Sequence, residues 1–375
     1  MHTPVPIQLK ASIGGALLLA ALPCTVLAAE VTDLPPVQGL SVRLAYDGAF
    51  TTGTLEEDGE TISGRRVTGH DLLWRAEVSP AKGLAMNVGL EHSPRFLYRY
   101  PDARPMIFEP STGAGTYLFS RPGPDTEVRI AGVSGVWLGA AVTPYSETFD
   151  KQHQATWRLD VALRPASPRR NIWVAHNGKR GPAPGGTAVR ISTAFSKDLG
   201  TGNPYLAFAF QNEGKVQVDL EDEAGTVHGR GVQLKPASTV EMTGGAEVVA
   251  WQDADNDRRV AADLWLTAGY RTWQDVGSGI LLPNVLDGSL SIPVTSGEAV
   301  YARAGVGADV HLMSALRTRT GVWVGWETPT RVEHVYAVTT APETVTVGWS
   351  LTLEGRAPFA GARRSGTKPD PTAAP

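Results

Sequence analysis

The chain has 375 residues, 42% of them hydrophobic, and its 34 Lys and Arg against 38 Asp and Glu leave a formal net charge of −4. That balance carries no sign of nucleic-acid binding. A single cysteine, Cys24, excludes a disulfide framework and a cysteine-held metal site.

At the amino terminus, Lys10 precedes the small-residue-rich apolar run ASIGGALLLAALPCTVLAAE, which is too short for a good membrane helix and ends in an A-x-A-like VLAA. The pattern predicts a secretory signal peptide over 1–28, cut after Ala28 or Ala29. Cys24 lies inside it, and the ALP before it departs from the box used for lipid attachment, so no lipid anchor is expected. No second apolar stretch of about 18 residues follows, which excludes membrane helices but not a membrane barrel.

A Pro-containing lead-in over 29–38 gives way to alternating runs ended by Gly, Pro, Asp or Asn. Leu40, Val42, Leu44 and Tyr46 alternate with Ser41, Arg43, Ala45 and Asp47. In DLLWRAEVSPAKGLAMNVGLEH, Leu72, Trp74, Ala76 and Val78, then Leu84, Met86, Val88 and Leu90, form the oily side of a hairpin; Arg75, Glu77, Asn87 and Glu91 form the other. Comparable runs span 128–142, 157–163, 189–195, 206–210, 216–220, 264–270, 300–312 and 345–353. RPMIFEPSTGAGTYLFSRPGPD and GSGILLPNVLDGSLSIPVTSG read as loops or short strands. No window shows a helical period. The chain is therefore all-β, with one domain over 39–354, about 14 strands (12 to 16), and a Pro-, Gly- and Ala-rich tail, 355–375, expected to be disordered.

In AVYARAGVGADVHL, the alternation from Val300 to Leu312 is unbroken. At about 3.4 Å per residue it spans roughly 40 Å, which suits a tilted membrane crossing better than a sandwich strand. The opposite side repeatedly carries charge of both signs. Arg43, Arg75, Glu77, Arg129, Arg158, Asp160, Arg190, Asp263, Arg303 and Asp309 are the candidates for lining a lumen. A solvated outer sheet face accounts for any one strand equally well, but every strand of a soluble protein would need an apolar partner sheet. Tryptophans in or at the ends of the runs, Trp74, Trp137, Trp157, Trp173, Trp251, Trp265, Trp323, Trp326 and Trp349, fit interfacial girdles.

These features resemble a bacterial outer-membrane β-barrel protein, over nearly the whole of the chain after its leader. TVGWSLTL is similar to the terminal-strand signal read by the barrel-assembly machinery, with Thr346, Gly348, Leu351 and Leu353 at its positions. Leu353 stands where the signal usually carries an aromatic, and a tail follows it. The resemblance implies an antiparallel transmembrane β-barrel in the outer membrane, both termini periplasmic, with outer-membrane lipid and the assembly machinery as partners.

Residues with chemistry are sparse. DADNDRR places Asp253, Asp255 and Asp257 at calcium-loop spacing, but Arg258 stands where such loops need Gly and Leu264 where they need Glu; an acidic turn is expected. NGKRGPAPGGT lacks phosphate-loop order and reads as a mobile loop. The histidines show no paired metal spacing, and neither His92 with Ser93 nor His311 with Ser314 carries a nucleophile motif. No catalytic residue, cofactor or metal is expected. The leading reading is a passive channel or exporter pore; others are a structural barrel in an envelope-spanning motility, polysaccharide-export or secretion machine with further envelope proteins as partners, and a soluble glycan-binding sandwich.

Overall fold

The structure is a computed structural model. It describes residues 38–57, 59–100, 106–109, 114–117, 126–147, 155–166, 171–174, 186–221, 227–253, 255–282, 290–313, 315–334 and 338–358. The predicted signal peptide, nearly all of the lead-in and residues 359–375 of the expected tail lie outside these residues, whereas 355–358 of that tail continue the last strand, Thr344–Pro358.

Twelve strands form one closed antiparallel ring: β1 (Gly39–Glu57), β2 (Glu60–Ala81), β3 (Leu84–Tyr100), β4 (Thr126–Tyr145), β5 (Thr156–Arg164), β6 (Ala188–Ser196), β7 (Gly202–Glu213), β8 (Thr239–Asp253), β9 (Arg258–Arg271), β10 (Ala299–Met313), β11 (Leu316–Glu327) and β12 (Thr344–Pro358). Each pairs with its neighbour in sequence, and β1 and β12 close the ring from Gly39↔Pro358 to Thr52↔Val345. Closure satisfies the backbone groups that an open edge would expose to lipid. The ring is even-numbered and within the expected range.

The strands outside the wall explain why the sequence suggests a count above twelve. Val216–Glu221 belongs to a separate sheet with Asn171–Val174 and Val227–Leu234, while Met106–Glu109 pairs only with Ala114–Tyr117. Gln274–Leu282, Leu290–Ser296, Thr330–His334 and Val338–Ala341 form a fringe joined to β1 at Glu56↔Thr340. An alternating run marks a strand without saying which sheet it joins.

The register is staggered. The row of partners beginning at Leu40, at the terminus end of β1, passes through Met86, Val161 and Phe210 and reaches Val300 at the opposite end of β10. Such a climb is the stagger that tilted barrel strands require. Connections at the terminus end are short (82–83, 146–155, 197–201, 254–257, 314–315), and most at the other end are long (101–125, 165–187, 214–238, 272–298, 328–343). This is the asymmetry of outer-membrane barrels, with short periplasmic turns and long external loops.

The oily faces look outward. In the hairpin of β2 and β3, Trp74 is 47% and Met86 59% exposed, whereas Glu77 and Ala85 are buried. Gly83 allows the tight connection between them with a φ of 73°. On β10, Val300 and Val306 are exposed while Tyr301, Arg303 and Asp309 are buried. The sheet therefore encloses its polar face, the reverse of a soluble sandwich. At the terminus-side rim, Tyr145, Trp157 and Phe195 stack on the outer face, and Trp157 Nε1 donates to Thr193 Oγ1 at 2.7 Å.

The tryptophans divide between the two faces. Trp74, Trp157, Trp251, Trp326 and Trp349 are on the outside, but Trp137, Trp265 and Trp323 project inward, correcting their reading as girdle residues. The side chain of Trp173 lies outside the described residues.

Candidate functional site: the charged lumen

Nine of the ten lumen candidates, Arg43, Arg75, Glu77, Arg158, Asp160, Arg190, Asp263, Arg303 and Asp309, lie on the inward face and are buried or half-buried. Arg129 sits opposite Leu97 on β4, beyond a bulge at 133–135 that reverses the alternation; its side chain is outside the described residues. Gly135 takes a φ of 153° at this bulge, and a Cβ there would meet the Arg164 side chain.

Four of the candidates meet in one cluster. Arg75 Nη2 donates to Glu77 Oε2 at 2.9 Å and to Asp160 Oδ1 at 3.0 Å; Arg158 Nη2 donates to Glu77 Oε2 at 2.8 Å, and its Nε to Asp160 Oδ2 at 2.7 Å. Strands β3 and β4 lie between these pairs, and four of their inward residues, Ala85, Gly89, Gly139 and Ala141, are small, with the Asn87 side chain lying over Gly139. Long guanidinium arms can therefore cross two strands.

The other candidates join residues outside the sequence-derived set. Arg190 donates to Glu91 at 3.1 Å and to Gln211, with its guanidinium 4.3 Å from the Trp137 ring centroid. Arg164 pairs with Glu213 and approaches the same ring. Arg303 lies 3.6 Å from Glu241, which also accepts a 2.6 Å hydrogen bond from Tyr301 Oη.

Toward the terminus end, Asp309 is 1% exposed and accepts from Arg317 Nε at 2.7 Å and from Arg319 Nη2 at 2.7 Å, with His311 Nε2 at 3.6 Å. Glu247 pairs with Arg259 and lies 3.8 Å from Arg317, while Asp263 accepts from Tyr205 Oη at 2.8 Å. Glu354 receives both Arg43, at 3.2 Å, and Arg356, at 2.7 Å. Arg317 and Arg319 alternate in LRTRTGVWVGWE, a signal as clear as those of the runs marked on other strands.

Several inward rings lie over glycines of adjacent strands: Tyr205 over Gly245, Tyr301 over Gly269, Trp265 over Gly305, and Trp323 over Gly348. In the assembly-signal stretch, Thr346 and Gly348 face inward and Leu351 and Leu353 outward. Thr346 shares a 2.7 Å hydroxyl hydrogen bond with Thr51 across the closing seam. Gly348→Val is expected to destabilise the folded barrel by about 1–3 kcal/mol by overpacking against the Trp323 indole. Urea unfolding checks this, and combination with Trp323→Ala should recover part of the loss; an unchanged midpoint for the single variant would remove the packing role.

His92 and Ser93 fall on opposite faces, with Ser93 Oγ donating to Asp71. Before the turn at 255–257, Asp253 accepts from Asn256, and no group of three His, Cys, Asp or Glu is placed to hold a metal among the described residues. NGKRGPAPGGT lies mostly outside them.

The closed ring, the apolar outer face and the asymmetric connections define a transmembrane β-barrel of the bacterial outer-membrane type. No protein-family model and no curated protein matches the sequence. Among solved structures, the chain is similar to an outer-membrane channel from Pseudomonas putida F1 (12% identity, 87% of this chain and 98% of that one, TM-score 0.48). It is also similar to a Pseudomonas aeruginosa FadL homologue (8%, 86% and 90%, TM-score 0.39) and to a mutant of the TodX monoaromatic hydrocarbon channel (9%, 92% and 94%, TM-score 0.40). Each likeness is distant; the architecture rests on this chain's own hydrogen-bonded ring.

Proposed function

We propose that the chain resides in the outer membrane and acts as a passive channel for small polar or ionic solutes, through a lumen narrowed by paired charges. The carrying observation is the inward face, which bears Arg and Asp or Glu from β1 to β12 behind an apolar outer wall. Charged linings set ion selectivity through the field they create. Insertion by the barrel-assembly machinery, through the Thr346–Leu353 signal, belongs to the same reading.

Planar-bilayer recording tests it. Folded protein should give discrete conductance, and Glu77→Gln with Asp160→Asn should shift the reversal potential toward anion preference by removing two negative charges beside Arg75 and Arg158. No conductance from correctly folded protein would overturn the channel reading.

A second reading, a structural barrel within a motility, polysaccharide-export or secretion machine, is favoured by one observation: the inward charges bind one another. Asp309, Arg158 and Arg271 are among the most buried side chains, and each is in an ion pair. A silent barrel that captures a specific envelope partner from solubilised membranes would support this reading.

A further inference from the structure

Among the described side chains, the outer face of the wall carries few charges. Outward positions on β10 run Val300, Ala302, Ala304, Val306, Ala308 and Val310, and those on β12 run from Val345 to Leu353 without an ionisable group. The β2–β3 sector departs from this. Arg66, in register with outward-facing Thr52, and Arg95, in register with outward-facing His70, are both exposed, and neither makes a hydrogen bond or ion pair with the described residues. Arg99 holds the register position opposite Arg66.

The stagger sets the height of these two arginines. The row Trp349, Gly48, His70, Arg95 climbs toward the loop-side rim in the same sense as the row from Leu40 to Val300. Arg95 therefore reaches the level at which the apolar stripe of β1 ends in Phe50, and Arg66 lies just above it. Beside Arg95, Tyr46 Oη and His70 Nδ1 share a 2.6 Å hydrogen bond, and their rings stack at 5.9 Å. Two free guanidinium forks thus border a flat, amphipathic platform at the edge of the apolar band.

A cation facing lipid is costly at mid-depth and cheap at the interface, where a counter-charge can meet it. The guanidinium fork matches phosphate oxygens in bidentate geometry, and a sugar ring packs against an aromatic surface. On the reading that this wall spans the outer membrane with its long loops outside, the sector faces the outer leaflet.

We infer that Arg66 and Arg95, with the Tyr46–His70 platform, form a docking surface for the phosphorylated glycolipid headgroup of that leaflet. Charge complementarity commits the sector to a lipid phosphate.

The test is native mass spectrometry of the full folded barrel in detergent, titrated with bis-phosphorylated lipid A and, separately, with its dephosphorylated form. Wild type should retain the phosphorylated lipid, and Arg66→Ala with Arg95→Ala should weaken retention by about tenfold or more through loss of charge-assisted hydrogen bonds. Arg66→Lys with Arg95→Lys should fall between them. Arg258→Ala, an exposed arginine at the opposite rim, should match wild type. Equal retention of both lipids by wild type, or unchanged retention by the double alanine variant, would overturn the proposal. Heat-dependent gel mobility of each variant separates loss of the patch from loss of fold. Failure of the protein to enter membranes would instead remove the membrane reading on which the patch rests.

Discussion

Asp309→Ala lowers the unfolding free energy of the barrel by about 3–5 kcal/mol, the expected cost of removing one member of a buried ion-pair network. The carboxylate is 1% exposed and lies between Arg317 and Arg319, both buried. Without it, two guanidiniums lose a shared carboxylate in a low-dielectric interior, where Glu247 lies 3.8 Å from Arg317. Adding Arg317→Met and Arg319→Met should restore much of the stability, because apolar side chains of similar volume often replace a buried ion network without loss. Urea unfolding of the three proteins in lipid vesicles checks both statements. A loss within about 0.5 kcal/mol for the single variant would mean that water reaches this part of the lumen and screens the pairs as at a surface.

Val306→Arg is the second large effect, expected to cost about 2–4 kcal/mol at mid-depth on a lipid-facing wall, against about 0–1 for Val300→Arg near the rim. Val306 is 51% and Val300 49% exposed, so a water-facing wall would tolerate both equally. The difference between the two variants, measured by unfolding from vesicles, therefore reports the solvent outside the barrel. Equal, small effects would place water there.

Much of this architecture is legible in the sequence because side-chain direction in a strand has a period of two. The run from Val300 to Leu312 alone reveals a long strand with one apolar and one polar face. Direction is lost where a bulge resets the phase, as between Glu91 and His92 on β3 opposite Gly135 and Val133, which puts Arg129 beyond the reach of simple alternation. The charged candidates are visible as residues on a face, but their partners are not. Arg158 meets Glu77 from three strands away, past the small inward residues Ala85, Gly139 and Ala141, a property of the assembled wall. Tryptophan position is also ambiguous in sequence. Trp323 and Trp326 are three residues apart on one strand and lie on opposite faces, the first over Gly348 and the second on the outer wall.

Whether this wall spans a membrane is decided by the gel mobility, unheated against heated, of protein extracted with detergent from the host's outer-membrane fraction. A folded, membrane-spanning barrel predicts recovery in that fraction and a heat-dependent shift. Recovery in the soluble fraction with no shift would contradict it and would mean that the apolar face from Leu40 to Leu353 is covered by protein instead of lipid.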